Sequence, residues 1–165
     1  MNQTKKPRGL FIVFEGIDRA GKLTQIDLLR DYFKNMLKYE VKVVKFPDRE
    51  IPSGKMLDDF LKSPKRDNLR AAHQLFSFNR WEKREAILNE LEQGNVVICN
   101  RYAFCSIAYS LSNGFEREFC FLNGFSLSKM VVVVKASFIN LSKSFTKSFL
   151  FISSSSSSLL LSPIL

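Results

Sequence analysis

The chain has 165 residues, 45% of them hydrophobic, and a formal net charge of +9, which fits one domain with a buried core. Before the last 47 residues, its basic residues form no compact stripe with interleaved aromatics, and this argues against a nucleic-acid partner and for the phosphate of a small molecule. Cys99, Cys105 and Cys120 are odd in number and lack metal-ligand spacing, so reduced thiols are expected. Met1 to Arg8 contain no secretory apolar segment, so we expect a soluble cytoplasmic protein that could also be nuclear.

The first predicted element is a strand over the apolar run Leu10 to Phe14. It leads into the segment Glu15 to Thr24, where Gly16, Gly21 and Lys22 give the spacing G-x-x-x-x-G-K. Glycines at these positions let the backbone approach a phosphate, successive N–H groups point inward, and the lysine adds a point charge. The sequence therefore predicts a phosphate-binding P-loop; the alternative is a glycine turn that merely joins a strand to a helix.

The position after the P-loop lysine departs from the motif. A hydroxyl is typical there because it ligates Mg²⁺, but this chain has Leu23, and Thr24 lies one residue further on. One residue along a helix turns a side chain by about 100°, so Thr24 is a poor substitute. We therefore expect the loop to retain phosphate binding better than it retains metal-assisted phosphoryl transfer. An amphipathic helix is predicted over Ile26 to Leu37.

A second strand is predicted over Val41 to Phe46, ended by Pro47. A short helix is then predicted over Ser53 to Leu61, starting at Ser53. Its buried face is expected to hold Met56, Leu57, Phe60 and Leu61.

A long helix is predicted to begin at a cap residue, Asp67 or Asn68, and to run to Gln93, where Gly94 ends it.

A third strand, Val96 to Cys99, is a continuous apolar run typical of a sheet covered on both faces. Strands that alternate with helices predict a parallel sheet, in which ligands bind at the carboxyl ends of the strands. The glycine loop, Asp48 with Arg49, and Asn100 with Arg101 each follow a predicted strand, so they should converge on one crevice. The two arginines predict a second phosphorylated ligand; taken alone, either would be read as a solvated surface charge.

On the long helix, Phe76 and Arg80 are four residues apart and share a face. An aromatic ring beside a guanidinium suits a flat heterocycle with carbonyl edges. The alternative is core packing by Phe76 with Arg80 paired to a carboxylate such as Glu82. His73 is expected to be a helix-surface or core histidine, because nothing in the sequence pairs with it, and Trp81 is expected in the core.

Four motifs together resemble the thymidylate kinase family over roughly residues 8–120: Phe-Glu-Gly-Ile-Asp-Arg-Ala-Gly-Lys, Phe-Pro-Asp-Arg, Leu-Phe-Ser-Phe-Asn-Arg-Trp-Glu and Asn-Arg-Tyr-Ala-Phe. The resemblance implies an α/β P-loop NTPase fold of three layers, a parallel sheet flanked by helices, with residues 1–120 as the nucleoside monophosphate kinase core. It implies transfer of the γ-phosphoryl of ATP to dTMP, giving dTDP in dTTP biosynthesis, with Mg²⁺ bound to ATP. It also implies a homodimer, and neither nucleic acid nor membrane as a partner.

The resemblance assigns site residues by motif position. ATP would be bound by Gly16, Asp18, Arg19, Ala20, Gly21, Lys22, Leu23 and Thr24. The dTMP site would comprise Asp18 near the deoxyribose hydroxyl, Arg49 and Arg101 on the phosphate, Phe76 stacked on thymine, Arg80 on its carbonyl edge, and Tyr109 near the sugar. The catalytic residues would be Arg19, Lys22 and Asn100, with Arg19 resembling a built-in arginine finger.

Two positions depart from the family pattern at the metal site. The family usually has Asp-Arg-Tyr where this chain has Asn100, Arg101 and Tyr102, which removes one negative charge from the Mg²⁺ environment. Leu23 removes an oxygen ligand, so Asn100 is left as a weak candidate metal ligand. A second hypothesis is therefore a nucleotide-binding protein that keeps the monophosphate site but has lost turnover.

Residues 121–165 differ in composition, with thirteen serines, six phenylalanines, no acids and a six-serine run at Ser153 to Ser158. We expect this tail to be disordered or poorly packed, with the family's C-terminal strands, lid and adenine loop missing or replaced. Met130 to Val134 is a candidate fourth strand, and no fifth strand is predicted. The composition suggests an incomplete or aberrantly spliced product. A membrane anchor is the competing interpretation, but no 18-residue apolar stretch exists.

Overall fold

The computed structural model describes residues 7–65, 67–122, 131–135 and 150–153. No helix within these ranges is long and apolar enough to cross a membrane. The elements in chain order are β1 (Phe11–Glu15), α1 (Lys22–Asp31), a π-helical turn (Tyr32–Met36), β2 (Val41–Lys45), α2 (Pro52–Lys62), α3 (Leu69–Glu82), α4 (Arg84–Glu92), β3 (Val96–Asn100), α5 (Phe104–Ser112), α6 (Arg117–Leu122), β4 (Val131–Lys135) and β5 (Leu150–Ser153).

The strands form one sheet of five, in the order β2-β3-β1-β4-β5. β1 lies between β3 and β4 and is parallel to both, and β2 is parallel to β3. The predicted parallel α/β sheet is confirmed, and each of its first three strands lies within one residue of the predicted bounds. Because parallel strands end at the same edge of a sheet, the loops after β1, β2 and β3 are brought together.

Side chains of β1 alternate between two hydrophobic cores. Phe11 and Val13 belong to a core that includes residues of α4, α5 and α6. Ile12 and Phe14 belong to a second core with Ile26 of α1. Successive residues of a strand point to opposite faces, so the sheet is covered by helices on both sides and the fold has three layers, as predicted.

The long helix predicted to reach Gln93 is instead two helices, α3 and α4, separated at Lys83. Lys83 lies at the edge of the right-handed helical region, with φ −93° and ψ −4°, and its ammonium pairs with Asp48 at 2.8 Å. This ion pair joins the break to the loop after β2, a tertiary contact that helix periodicity does not reveal. The predicted cap at Asn68 is confirmed, since its side chain accepts a hydrogen bond from the backbone N–H of Ala71 at 3.1 Å.

Three smaller predictions about helices need correction. The first helix begins earlier than predicted, at Lys22, and changes at Tyr32 to a π-helical turn. Met56 is 61% exposed and Trp81 is 51% exposed, so neither lies in the core. The buried face of α2 consists of Ser53, Gly54 and Leu57, because small residues let this helix approach the loop after β2.

The C-terminal region contributes two strands to the sheet. β4 pairs with β1, with Val132 opposite Ile12, in agreement with the fourth strand predicted there. β5 pairs antiparallel with β4, so the expectation of no fifth strand is wrong. The predicted boundary at residue 120 falls inside α6. The other tail predictions, including that part of the six-serine run which follows Ser153, lie outside the described residues.

Candidate functional site

The loop between β1 and α1 has the backbone of a phosphate-binding loop. Gly16 and Gly21 have φ of 147° and 74°, and Arg19 has φ 61°. A Cβ at Gly21 would meet no atom within 4 Å, so glycine is favoured there by the left-handed backbone and not by crowding. The predicted strand, glycine loop and helix are all present.

Lys22, the first residue of α1, is only 7% exposed. Its ammonium donates hydrogen bonds to the carbonyl oxygens of Gly16, at 3.1 Å, and Ile17. Burial and then the nearby Arg101 charge lower the pKa of the Lys22 ammonium. A buried cation whose bonds go to neutral carbonyls would be stabilised by an anion, so the inside of the loop is suited to phosphate.

The remaining P-loop residues are divided between core and solvent. Ala20 is buried at 8% exposure, and Leu23 is 65% exposed. Asp18, Arg19 and Thr24 are exposed. Leu23 thus places a hydrocarbon side chain, without an oxygen ligand, on the first turn of α1.

A cavity of about 400 Å³ lies at the carboxyl ends of the strands. Its lining includes every residue that was predicted to bind dTMP: Asp18, Arg49, Phe76, Arg80, Arg101 and Tyr109. These residues come from the P-loop, the loop after β2, α3, the loop after β3, and α5. The predicted convergence on one crevice is therefore observed, while the role of each residue toward a ligand stays a prediction.

Arg80 is 1% exposed and lies in the wall of this cavity. Its Nη1 donates to Ser106 Oγ at 3.2 Å and to the Tyr102 carbonyl at 3.4 Å. Burial lowers the pKa of the Arg80 guanidinium. Glu82, the alternative partner considered for Arg80, accepts from Ser53 Oγ at 2.6 Å. Phe76 is half-buried one helical turn before Arg80 and lines the same cavity.

The loop that carries Arg49 is held by a network that the sequence did not predict. Asn79, fully buried on α3, accepts from the backbone N–H of Asp48 at 2.8 Å and donates to its carbonyl at 3.0 Å. It also donates to Ser53 Oγ at 2.8 Å. The Arg49 guanidinium pairs with Asp58 at 3.1 Å. Burial, the largest single effect, acts to raise the pKa of the Asp48 carboxyl, but the Lys83 hydrogen bond, the Glu50 backbone N–H and the charges of Lys83 and Lys45 together lower it.

The loop after β3 places Arg101 over the P-loop. Arg101 has φ 64°, forms an ion pair with Asp18, and has its Nη1 3.4 Å from Cys105 Sγ. Burial and then the nearby Glu15 carboxylate raise the pKa of the Cys105 thiol. Two residues from different strand ends thus meet at the mouth of the cavity.

The side chains at the expected metal position make an incomplete metal site. The Asn100 Oδ1 atom is buried and accepts no hydrogen bond from the described residues, so it is one available oxygen. Leu23 offers none, and the described ranges contain no group of three or more His, Cys, Asp or Glu side chains suited to a metal. Of these two positions, only Asn100 offers an oxygen to a divalent ion.

His73 is buried at 2% exposure in the cavity wall. Its Nδ1 is 2.7 Å from Ser110 Oγ, and its ring centroid is 5.2 Å from that of Phe119. The structure therefore places His73 in the core, one of the two predicted environments, and gives it a partner, Ser110, that the sequence did not reveal. Burial and then the Arg80 charge lower the pKa of the imidazole, which favours its neutral form.

Sequence reasoning gave no role to Glu15, Asn79 or Cys105. Glu15 is a polar residue at the end of an otherwise apolar strand, and Asn79 is a polar residue on the face of α3 next to Arg80. Both could have been noticed as buried polar candidates. Their partners lie 26 to 89 residues away in the chain, beyond what local spacing reveals.

Four parallel strands with a glycine loop after the first, a buried loop lysine and a cationic cavity at the strand ends define the P-loop class of α/β fold. Comparison with known proteins identifies the family. The thymidylate kinase family profile matches residues 14–124. The chain is 40% identical over 119 residues to a thymidylate kinase of Dictyostelium discoideum, covering 72% of this chain and 54% of that protein. It is 43% identical over 118 residues to one of Schizosaccharomyces pombe, covering 71% and 55%.

Solved structures agree with this result. The thymidylate kinase of Candida albicans is 41% identical, with a TM-score of 0.56, over 68% of this chain and 49% of that one. The thymidylate kinase of Ehrlichia chaffeensis, 24% identical with a TM-score of 0.64 over 77% and 76% of the two chains, supports the fold. The chain belongs to the thymidylate kinase family. It spans about half the length of the curated relatives it matches.

Proposed function

We propose that the chain binds dTMP in the cavity and ATP phosphates on the P-loop, and transfers the γ-phosphoryl of ATP to dTMP to give dTDP and ADP. The observation that carries this proposal is the cavity itself. Six side chains chosen from sequence motifs, spread from Asp18 to Tyr109, line one cavity of about 400 Å³. Family membership supports the same chemistry in general.

The proposed reaction does not require a covalent intermediate with the protein. A phosphate oxygen of dTMP attacks the γ-phosphorus, and the bond from that phosphorus to the bridging oxygen of ADP breaks. Since a monophosphate is largely ionised at pH 7, no proton has to be removed from the attacking oxygen and no general base is required. Positioning and charge neutralisation then account for the catalysis.

The cations in and around the site suit those two tasks. Lys22 and Arg19 lie on the P-loop, where the ATP phosphates would bind, and Arg49 and Arg101 line the cavity. Arg49 and Arg101 would hold the dTMP phosphate with their forked donors. The ring of Phe76 and the guanidinium of Arg80 would contact thymine, with Tyr109 beside the sugar. Mg²⁺ would enter as part of the Mg²⁺–ATP substrate.

The test is a binding titration with dTMP, thymidine and CMP, followed by an assay of ADP release that requires both substrates. We expect dTMP to bind more tightly than CMP, and Arg101→Ala to weaken dTMP binding about tenfold or more, the loss typical of a charge-assisted contact. Lys34→Ala, an exposed cation on the π-helical turn, is the control and should bind as the unchanged chain does. Equal affinity for dTMP and CMP would refute the proposal.

A second candidate function is dTMP binding without turnover. Two observations favour it: the exposed hydrocarbon of Leu23, and an amide at Asn100 where the family usually has a carboxylate. Restoring both groups with Leu23→Ser and Asn100→Asp separates the two candidates. If the unchanged chain forms no dTDP and the double variant does, turnover has been lost through these two positions. If the unchanged chain itself forms dTDP, binding without turnover is excluded.

We also propose that the chain forms the homodimer that the resemblance implies. Support comes from apolar side chains left exposed on the two packed helices α2 and α3, namely Met56, Phe78 and Trp81 at 61%, 60% and 51% exposure. Sedimentation equilibrium tests this, and a mass equal to one chain at all concentrations would rule it out.

A further inference from the structure

A buried carboxylate lies behind the arginine at the mouth of the cavity. Glu15, the last residue of β1, is 5% exposed. Its Oε1 accepts hydrogen bonds from the backbone N–H groups of Tyr102, at 3.0 Å, and Phe104, at 2.9 Å. Bonds from two N–H groups to an ionised oxygen are stronger than those between neutral groups.

These bonds fix the turn that carries Arg101. The backbone N–H of Arg101 donates to the Phe14 carbonyl at 2.8 Å, so residues 101, 102 and 104 are all bonded to the end of β1. The turn is therefore attached to the strand that also begins the P-loop. Any displacement of the strand end would move Arg101 with it.

The backbone of Arg101 needs this support. Its φ of 64° is in the left-handed region, which is unfavourable for a residue with a Cβ atom and persists only where surrounding contacts hold it. That conformation directs the guanidinium toward Asp18 and Cys105 at the cavity mouth. In an unrestrained turn, Arg101 would relax toward negative φ and its side chain would leave this position.

We infer that Glu15 is a positioning residue for the monophosphate site: through its bonds to the backbone N–H groups of Tyr102 and Phe104, it holds Arg101 where a ligand phosphate can be bound. This inference rests on the proposed function, because it assumes that Arg101 contacts the dTMP phosphate. Both bonds end on one oxygen atom, so a neutral glutamine can accept them, whereas an aspartate is one methylene too short and an alanine has no acceptor.

The experiment measures dissociation constants for dTMP and for thymidine, which lacks the phosphate, with Glu15→Gln, Glu15→Asp and Glu15→Ala in the full chain. We expect Glu15→Gln to bind dTMP within about twofold of the unchanged chain, and Glu15→Ala to bind it about tenfold more weakly, the size of one lost charge-assisted contact. Thymidine affinity should be unchanged in all three variants. If Glu15→Ala does not fold, Glu15→Asp is expected to show the same selective loss. Glu92→Ala, an exposed acid at the end of α4, is the matched control.

A double-mutant cycle with Arg101→Ala completes the test. If Glu15 acts through Arg101, Glu15→Ala or Glu15→Asp weakens dTMP binding by less than about twofold further on the Arg101→Ala background. The inference would be overturned, and the proposed function left standing, if a Glu15 variant lost dTMP and thymidine affinity equally. The same holds if Glu15→Ala weakened dTMP binding as much in the Arg101→Ala chain as in the unchanged chain. Failure of the unchanged chain to bind dTMP would overturn the proposed function, and this inference with it.

Discussion

The Asp18 carboxylate forms an ion pair with the Arg101 guanidinium across the gap between the P-loop and the loop after β3. The Asp18 side chain is 93% exposed and that of Arg101 is 28% exposed. The pair joins two loops that belong to neighbouring strands, and it occupies part of the guanidinium that would otherwise face a ligand phosphate. The acid therefore competes with an anion for Arg101.

We predict that Asp18→Asn raises the affinity of the chain for inorganic phosphate by about two- to fivefold, the range expected for a largely exposed ion pair. The same change should lower thymidine affinity if Asp18 bonds the sugar hydroxyl. Calorimetric titration with each ligand gives both numbers. Asp59→Asn, an exposed acid on α2, should change neither affinity, and a fall in phosphate affinity with Asp18→Asn would contradict the competition.

Gly54 of α2 lies against the backbone of Asp48 and Arg49. A Cβ atom at Gly54 would lie 1.7 Å from the Asp48 carbonyl oxygen and 2.7 Å from the Arg49 Cα. Because backbone atoms are the obstacle, Gly54→Ala should displace this loop, destabilise the fold by about 1 to 3 kcal/mol or more and weaken dTMP binding.

Gly9→Ala is the matched control for this change. Its Cβ would lie 1.8 Å from the Asn95 carbonyl oxygen, away from the residues that line the cavity. It should lower the melting temperature comparably while the folded fraction keeps its dTMP affinity. Equal losses of affinity in the two variants would show that the effect of Gly54→Ala is not local.

Asn79 makes three hydrogen bonds at zero exposure. Asn79→Asp keeps one acceptor but loses both donors, so the Asp48 carbonyl and Ser53 Oγ lose a partner beside a new buried charge. We predict a loss of about 1 to 3 kcal/mol in the free energy of unfolding, as for buried polar groups left unsatisfied, measured by urea denaturation. Asn89→Asp, on the exposed side of α4, should cost less than about 0.5 kcal/mol.

His73 should make stability depend on pH between about 5 and 7. Its pKa is lowered in the folded chain by burial and by Arg80, so the unfolded chain takes up its proton at a higher pH than the folded chain does. The free energy of unfolding therefore rises with pH up to about 6.5, the pKa of a histidine in the unfolded chain, and this contribution to stability is lost as the pH falls below that value.

His73 is the only histidine of the chain, which makes this prediction easy to test. We expect His73→Gln, whose amide can still bond Ser110, to reduce the change in melting temperature between pH 7 and pH 5.5. Asp48 and Asp58 also have lowered pKa values, but carboxylates of this kind lose their contribution only at more acidic pH. An unchanged pH dependence in His73→Gln would show that another group titrates in this range.

The sequence by itself determined the first three strands and the edge of the sheet at which the candidate site residues lie. The alternation of apolar runs with helical segments predicted β1, β2 and β3, and the spacing of Gly16, Gly21 and Lys22 predicted the loop. The parallel order of the strands was enough to place Arg49 and Arg101 at one edge. These are local signals, since period and motif spacing involve residues close together in the chain.

Only the tertiary structure decided what holds those residues in place. The break at Lys83, the exposure of Met56 and Trp81, and the pairing of β5 with β4 all depend on contacts between distant segments. So do the buried bonds of Glu15 and Asn79, whose partners are up to 89 and 31 residues away. Hydrogen bonds and packing between such distant residues depend on the whole tertiary fold, and periodicity along the chain does not reveal them.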